Sequence, residues 1–427
     1  RSSRRSSSRS SSRSSSRAHS PGSNCCRRGS SYSRPRRGRC RRRSRCRCAG
    51  SRQGSHRRCS GRSSGSCRGG SAKRKRELEH IAWEPGLRLG PGGRYVVQRL
   101  LGDGATGRVL GCLDSSSQAF VAVKVAKDSR HQMKQALAEV EVLRKLQSFD
   151  EALCRHHCAD FLDTFLHAER HACLVFEPLA VNLSTIIRDA GRRGLLLRDI
   201  REITSQLLGC LSFMHAAGVV HTDLKCTNLM LRDSGYDQVP HPRCSGAWAP
   251  KLHKPHKVVL IDFGCAMDPD KQGHGRVGAR HIRAPEVVLG LRWAASADLW
   301  SLGCTLATLY TGERLFPVHA DMEHLAAMER IADAHIPSWM ALQVADRIKA
   351  KGVAFDNSGR LEWPGHAASR RAVEKVDQML TLREQVLPRH GNFLALLQGL
   401  LEIQPKARLT AEAAMRTAFV TAEQLFE

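Results

Sequence analysis

Between Arg1 and Arg76 the chain has 24 Arg, 2 Lys and not one acid, whereas from Glu77 to Glu427 42 basic residues face 40 acids. Of the formal charge of +28, the first 76 residues therefore carry +26 and the rest +2. The basic stretch also holds 24 Ser and almost no aliphatic side chains. It cannot bury enough apolar surface to offset its ordering entropy, so it is expected to be disordered. Any core must come from the other 351 residues. That length exceeds the roughly 250–300 residues at which a single core stops growing, and two lobes are expected. No apolar run of about 18 residues exists to span a membrane, and no apolar segment marks a secretion signal. A monomer that contacts no membrane is expected. Because the sequence opens on Arg1 rather than Met, it is expected to be a fragment or a processed form.

Cysteine usage points to a reducing address. Seven of the 16 Cys lie in the basic stretch and nine are scattered through the remainder, with no dense framework that would read as disulfides. Cys154-Arg-His-His-Cys158 has a metal-like look. A structural zinc site wants a paired C-x-x-C elsewhere and none is present, so a surface loop of reduced thiols is expected.

Arg1 to Arg17 is built from Arg-Ser and Ser-Arg steps, and Lys73-Arg-Lys-Arg76 reads as a nuclear-import cluster. The guanidinium groups offer salt-sensitive contacts to the phosphates of RNA. Each phosphate added to a serine would bring about −1.5 to −2 charges beside an arginine. A nuclear address is expected, with the cytoplasm as a second.

Further on, Tyr95 to Leu100 alternates as a strand and runs into Gly102-Asp-Gly104-Ala-Thr-Gly107. This G-x-G-x-x-G also fits a dinucleotide fingerprint, but there a helix should follow. Here Arg108 to Leu113 continues as a strand, so the glycines belong to a hairpin. The next strand, Phe120-Val-Ala-Val-Lys-Val125, carries Lys124. A glycine hairpin lets backbone amides approach a triphosphate, and a lysine on the neighbouring strand can reach its α and β phosphates. Residues 131–146 have helical spacing, with Met133, Leu137, Val140 and Leu143 or Leu146 on one side. Glu139 is the candidate partner of Lys124. Glu141 is the competitor, and because it lies about 200° further round the helix only one of the two can face inward. Ala172 to Leu179 ends a buried strand. Ile200, Ile203, Leu207, Leu211 and Met214 mark a helix over Arg198–Ala217, with Gly218 able to cap it. Then come Val220-His-Thr-Asp-Leu-Lys-Cys-Thr-Asn228, Asp262-Phe-Gly264, Ala284-Pro-Glu286 and Asp298-Leu-Trp-Ser-Leu-Gly303.

In this order and at these separations the chain resembles protein kinases. The resemblance implies an α+β, two-lobed kinase fold after the tail: lead-in 77–94, kinase domain 95–421, small β-rich lobe about 95–179 and larger helical lobe about 180–421. It implies ATP and magnesium as cofactors. Asp223 would accept the substrate proton, Lys225 would steady the γ-phosphate, and Lys124 with Glu139 would complete the catalytic set. Asn228 and Asp262 would hold the metal. Leu101, Gly102, Gly104, Gly107, Val109, Ala122, Lys124, Glu177, Leu179 and Met230 would surround the nucleotide, adenine bonding to backbone at Glu177 and Leu179. His221 would be structural, packed beneath Asp262-Phe-Gly264, and Arg408 would pair with Glu286.

Three features narrow the family. These are His221-Thr-Asp223, the run His281-Ile-Arg-Ala-Pro-Glu-Val-Val-Leu-Gly-Leu-Arg-Trp293, and Glu323-His-Leu-Ala-Ala-Met-Glu-Arg-Ile331. They resemble the LAMMER, or CDC-like, dual-specificity kinases, as does an insert over Asp233–His256 where that family carries an extra hairpin. Without the resemblance, 323–331 is an amphipathic helix with Leu325, Met328 and Ile331 inward. The family implies phosphorylation of serine, threonine and in some members tyrosine in Arg/Ser-rich splicing proteins, together with autophosphorylation. An SR-protein-kinase-like enzyme, and a weakly active scaffold binding RNA or splicing factors through the tail, are the alternatives. Several positions depart from the pattern: Thr106 at the tip of the glycine hairpin, Cys226-Thr227, Ala279 where a threonine usually bridges the catalytic Asp and Lys, and Ile282. Between Asp262 and Glu286 there is no Ser, Thr or Tyr. No phosphate can be added there, and an enzyme active without an upstream kinase is expected.

Overall fold

The computed structural model describes residues 80–422 apart from 234, 269, 271 and 272. The stretch 1–76, with its expected disorder and import cluster, lies outside the described residues.

Six strands form one antiparallel sheet in the order β1-β2-β3-β4-β6-β5, built from β1 (Arg88–Leu89), β2 (Tyr95–Asp103), β3 (Gly107–Asp114), β4 (Phe120–Ala126), β5 (Phe161–His167) and β6 (His171–Phe176). β-Branched and aliphatic residues on one face close a small core: Val97, Leu110, Val121, Val123, Val125 and Val175, with Leu89 and Tyr95. The lead-in contributes as well, through β1 and through Ile81, buried in the same core. Tyr95 stacks on Phe165 at 5.2 Å, and its hydroxyl donates to Asp163 at 2.6 Å.

Against this sheet lies α1 (Arg130–Phe149), started by the Ser129 side chain, which accepts from the Gln132 N–H at 3.1 Å. Its buried residues are Ala136, Glu139, Val140, Leu143 and Leu146. Leu137, expected on the inner face, is instead 54% exposed. The expected loop of thiols is also corrected. Residues 151–157 form α2 (Glu151–His157), capped by Asp150, and both Cys154 and Cys158 are buried rather than at the surface. Small, weakly polar cysteine suits such a tight site.

The larger lobe carries α3 (Leu183–Asp189) and α4 (Leu197–Ala216), followed by β7 (Leu229–Leu231), β8 (Tyr236–Pro240), β9 (Trp248–Leu252) and β10 (Val258–Leu260). β7 pairs with β10, and the insert between them folds as the β8–β9 hairpin. α4 buries the periodic residues Ile200, Ile203, Leu207, Leu211 and Met214. The central helix Ser296–Thr311 is buried almost along its whole length. The helix Asp321–Ala332 departs from the amphipathic expectation. Leu325, Met328 and Ile331 do point inward, but Met322, His324, Ala326 and Ala327 are buried too, so neighbours enclose most of its circumference. No helix among the described residues is long and apolar enough to cross a membrane.

Candidate active site

The glycine hairpin is the β2–β3 connection, closed by the Gly104 N–H donating to the Gly107 carbonyl at 2.9 Å. Gly107 has a steric reason to be glycine, since a Cβ there would lie 2.2 Å from the Val125 carbonyl oxygen. Below the hairpin, β4 presents Lys124 between β3 and β6. Its ammonium donates to both Glu139 oxygens, at 2.8 and 2.7 Å, and to Asp262 Oδ1 at 2.8 Å. Burial acts to lower the Lys124 pKa, but Glu139 and Asp262 outweigh it and hold it above the ordinary lysine value. Burial likewise acts to raise Asp262, and Lys124 overturns this and pulls it below the usual carboxylate value.

The catalytic loop between α4 and β7 is fixed from beneath by Asp298, fully buried on the central helix. Its carboxylate accepts the N–H groups of His221 and Thr222, each at 2.8 Å, and pairs with His215 Nε2 at 3.1 Å. These bonds hold Thr222 in the left-handed region, at φ 66°, a conformation costing a non-glycine residue on the order of 1–3 kcal/mol. His221 accepts the Asp223 N–H through Nδ1 at 3.2 Å, which leaves Nε2 to donate to the Ile261 carbonyl at 3.2 Å. Its ring meets Phe263 edge-on at 5.3 Å, so it packs under the Asp262-Phe-Gly264 turn as a structural residue.

Asp223 is thereby aimed at the cleft. Its Oδ1 accepts the Ala279 N–H at 2.8 Å, Oδ2 accepts the Lys225 ammonium, and its main-chain carbonyl accepts Asn228 Nδ2 at 3.0 Å. Asp262 itself has φ 66°. In the larger lobe Arg408 makes a two-pronged pair with Glu286, at 2.7 and 3.0 Å, both side chains being buried.

One cavity of about 560 Å³ opens between the lobes, within the range that takes a nucleotide-sized ligand. Its lining includes Leu101, Gly102, Gly104, Gly107, Val109, Ala122, Lys124, Glu177, Leu179 and Met230, together with Glu139, Asn228 and Asp262. The structure thus gathers the whole sequence-predicted nucleotide set around one space, with Asp223 and Lys225 held in the adjoining loop. The Glu177 N–H already donates to the Asp160 carbonyl at 3.1 Å, so the Glu177 carbonyl is the group it offers to a base. Sequence reasoning did not name Ala159, Phe176 or Asn182, which line the same cavity, and Thr106 and Thr227, noted only as departures from the pattern, line it too. Phe176 ends β6 immediately before the strand crossing and could have been named from that position. Ala159 carries no local signal, because α2 and β10 bring it there. Asn228 and Asp262 supply oxygen donors of the hard type that magnesium takes together with phosphate oxygens and water. Asp262 has a second carboxylate oxygen beyond the one facing Lys124.

Comparison with known proteins agrees with this geometry. The protein kinase domain model matches residues 95–420. The chain is 35% identical to the Serine/threonine-protein kinase AFC2 of Arabidopsis thaliana over 348 residues, 80% of this chain and 79% of that protein. It is 33% identical to the Dual specificity protein kinase CLK1 of Homo sapiens over 330 residues, 76% of this chain and 66% of that protein. The crystal structure of the PF14_0431 kinase domain superposes with a TM-score of 0.72 at 32% identity, covering 80% of this chain and 98% of that one.

Proposed function

Because the chain belongs to the protein kinase family, among serine/threonine and dual-specificity kinases of the AFC and CLK type, we propose that it phosphorylates Arg/Ser-rich proteins of the splicing kind, using ATP and magnesium. The observation that carries this reading is the juxtaposition of two charge groups at one cleft. Lys124 with Glu139 and Asp262 stands on the phosphate side, and Asp223 with Lys225 and Asn228 on the hydroxyl side. The glycine hairpin covers the phosphates, Lys124 holds the α and β groups, and the backbone at Glu177 and Leu179 receives adenine. Asp223 takes the proton of the substrate hydroxyl as its oxygen bonds to the γ-phosphorus. The bond from that phosphorus to the β–γ bridging oxygen breaks, and ADP leaves. Lys225 offsets the negative charge of the moving group. Asn228 and Asp262 would hold magnesium, which when bound would supply charge neutralisation.

The substrate class is supported by the Arg-Ser run on the same chain, which gives the enzyme a substrate in cis. Autophosphorylation of 1–76 would pair phosphates with neighbouring guanidinium groups and weaken contact with RNA. The cluster Lys73–Arg76 supports a nuclear address. Steady-state phosphorylation of an Arg-Ser peptide, a Lys-Ser peptide and an Ala-Ser peptide tests the reading, with Asp262→Asn as the control. Turnover should be highest on Arg-Ser and lost in the control. Equal turnover on all three peptides would reject the substrate class and keep the kinase. No turnover on any, with RNA still bound, would favour the scaffold.

A further inference from the structure

The segment leading to Ala284-Pro-Glu286 must be held in one shape, because the Ala279 N–H positions Asp223. Kinases that are switched on by phosphorylation achieve this with a phosphate on a loop hydroxyl, gripped by arginine. Here there is no hydroxyl between Asp262 and Glu286. Thr222 stands before the catalytic Asp and donates its hydroxyl to the Cys265 carbonyl at 2.9 Å. What the segment does carry is arginine. Arg276 and Arg280 converge on the two oxygens of one carboxylate, Asp321, Arg280 on Oδ1 and Arg276 on Oδ2. The Asp321 side chain is only 7% exposed, and the Arg276 and Arg280 side chains are 29% and 31% exposed. Asp321 is also the first residue of the helix Asp321–Ala332, where the helix dipole favours a negative charge.

Around this point the backbone leaves little slack. Arg283 donates to the carbonyls of Val277 and Gly278, at 3.0 and 2.8 Å. Gly278 has φ +67°, and a Cβ there would lie 2.2 Å from the Thr222 carbonyl oxygen, so the segment touches the catalytic loop at the residue before Ala279. Burial lowers the Arg283 pKa to about 10, and Arg280 and Arg276 add to the effect. Three guanidinium groups therefore crowd one place, and Asp321 is the carboxylate that lets two of them stay together.

We propose that Asp321 is a positioning residue for phosphoryl transfer, a built-in carboxylate doing for this segment what an added phosphate does in switchable kinases. By tying Arg276 and Arg280 to the larger lobe, it sets the turn that presents the Ala279 N–H to Asp223. The proposal rests on the kinase assignment but on none of the substrate reading, and wild-type turnover on any peptide keeps the two separable.

The test uses the full chain. Asp321→Asn keeps the shape and removes the charge. It should lower peptide kcat at least about tenfold, while the ATP dissociation constant stays within about twofold and the melting temperature shows a folded protein. Asp321→Ala leaves the two guanidinium groups without their carboxylate. Millimolar inorganic phosphate should then restore part of its kcat while adding nothing to the wild type. Should either variant fail to fold, Arg276→Gln removes one of the two ties and should also lower kcat without weakening ATP. Asp321→Asn or Arg276→Gln turning over within about twofold of wild type would overturn the proposal. So would a loss that phosphate does not touch and that goes with weakened ATP binding, since that is the mark of a residue that merely holds the fold.

Discussion

Asp223 receives a main-chain N–H on one oxygen and an ammonium on the other. The threonine that usually bridges this aspartate and lysine is Ala279 here, and its main-chain N–H still reaches the carboxylate. Asp223→Ala should lower turnover on the order of 10²–10⁴-fold, the contribution of a positioned base, and Lys124→Met should disable the transfer too. Circular dichroism and peptide kinetics on the same preparations check both. A different aspartate governs stability. Asp199 sits buried in the first turn of α4 and accepts the Leu252 N–H at 3.0 Å, anchoring the β8–β9 hairpin. Burial pushes its carboxyl up to about 6. The folded pKa thus lies above the unfolded value, so this contribution to stability is fully present below about pH 4 and is lost as pH rises through about 6. The difference amounts to roughly 3 kcal/mol at neutral pH. The melting temperature of Asp199→Asn relative to wild type should therefore rise between pH 4 and 7, and a constant difference would contradict it.

The helix α1 shows how far pattern reading reaches for a single element. Its existence, its span to within a few residues and its ion-pairing glutamate were all legible from spacing. Its inner face was misjudged at one position. Leu137 and Glu139 lie about 200° apart on a helix, so a Glu139 that reaches Lys124 turns Leu137 to solvent. The same rotation that excludes Glu141 excludes Leu137. Leu137→Lys should alter unfolding free energy by no more than about 0.5 kcal/mol, whereas Leu143→Ala should cost about 2–5 kcal/mol. Urea titration of both variants decides which face is buried. Elsewhere the local signal was too short. The seven residues of α2 hold too little periodicity to tell a helix from a loop. Burial around most of the Asp321–Ala332 helix comes from segments distant in sequence.

For the molecule as a whole, the cleft was more legible than the packing around it, because the groups facing the cleft sit in short motifs of fixed spacing. The pairing of Asp321 with Arg276 and Arg280 has no such spacing and emerges only when two distant segments meet. In the proposed function the basic stretch would serve location and substrates rather than chemistry. Deleting 1–76 should leave phosphorylation of a short peptide within about twofold of the full chain while removing most autophosphorylation. Phosphosite mapping before and after the deletion checks this.

The pair between Glu286 and Arg408 also sets an order in time. A ribosome that has reached residue 300 has already made Lys124, Asp223 and Asp262, yet the partner of Glu286 is still to be made. Until Arg408 emerges, folding of the larger lobe would bury a carboxylate with no countercharge, a state costing several kcal/mol. The nascent chain is thereby kept from closing the larger lobe around Glu286 before Arg408 has been made. A chain stopped at residue 400 should be captured by chaperones and show no peptide phosphorylation, although every residue that faces ATP is present. Soluble, active protein from that truncation would show that residues 401–427 only decorate a lobe already formed.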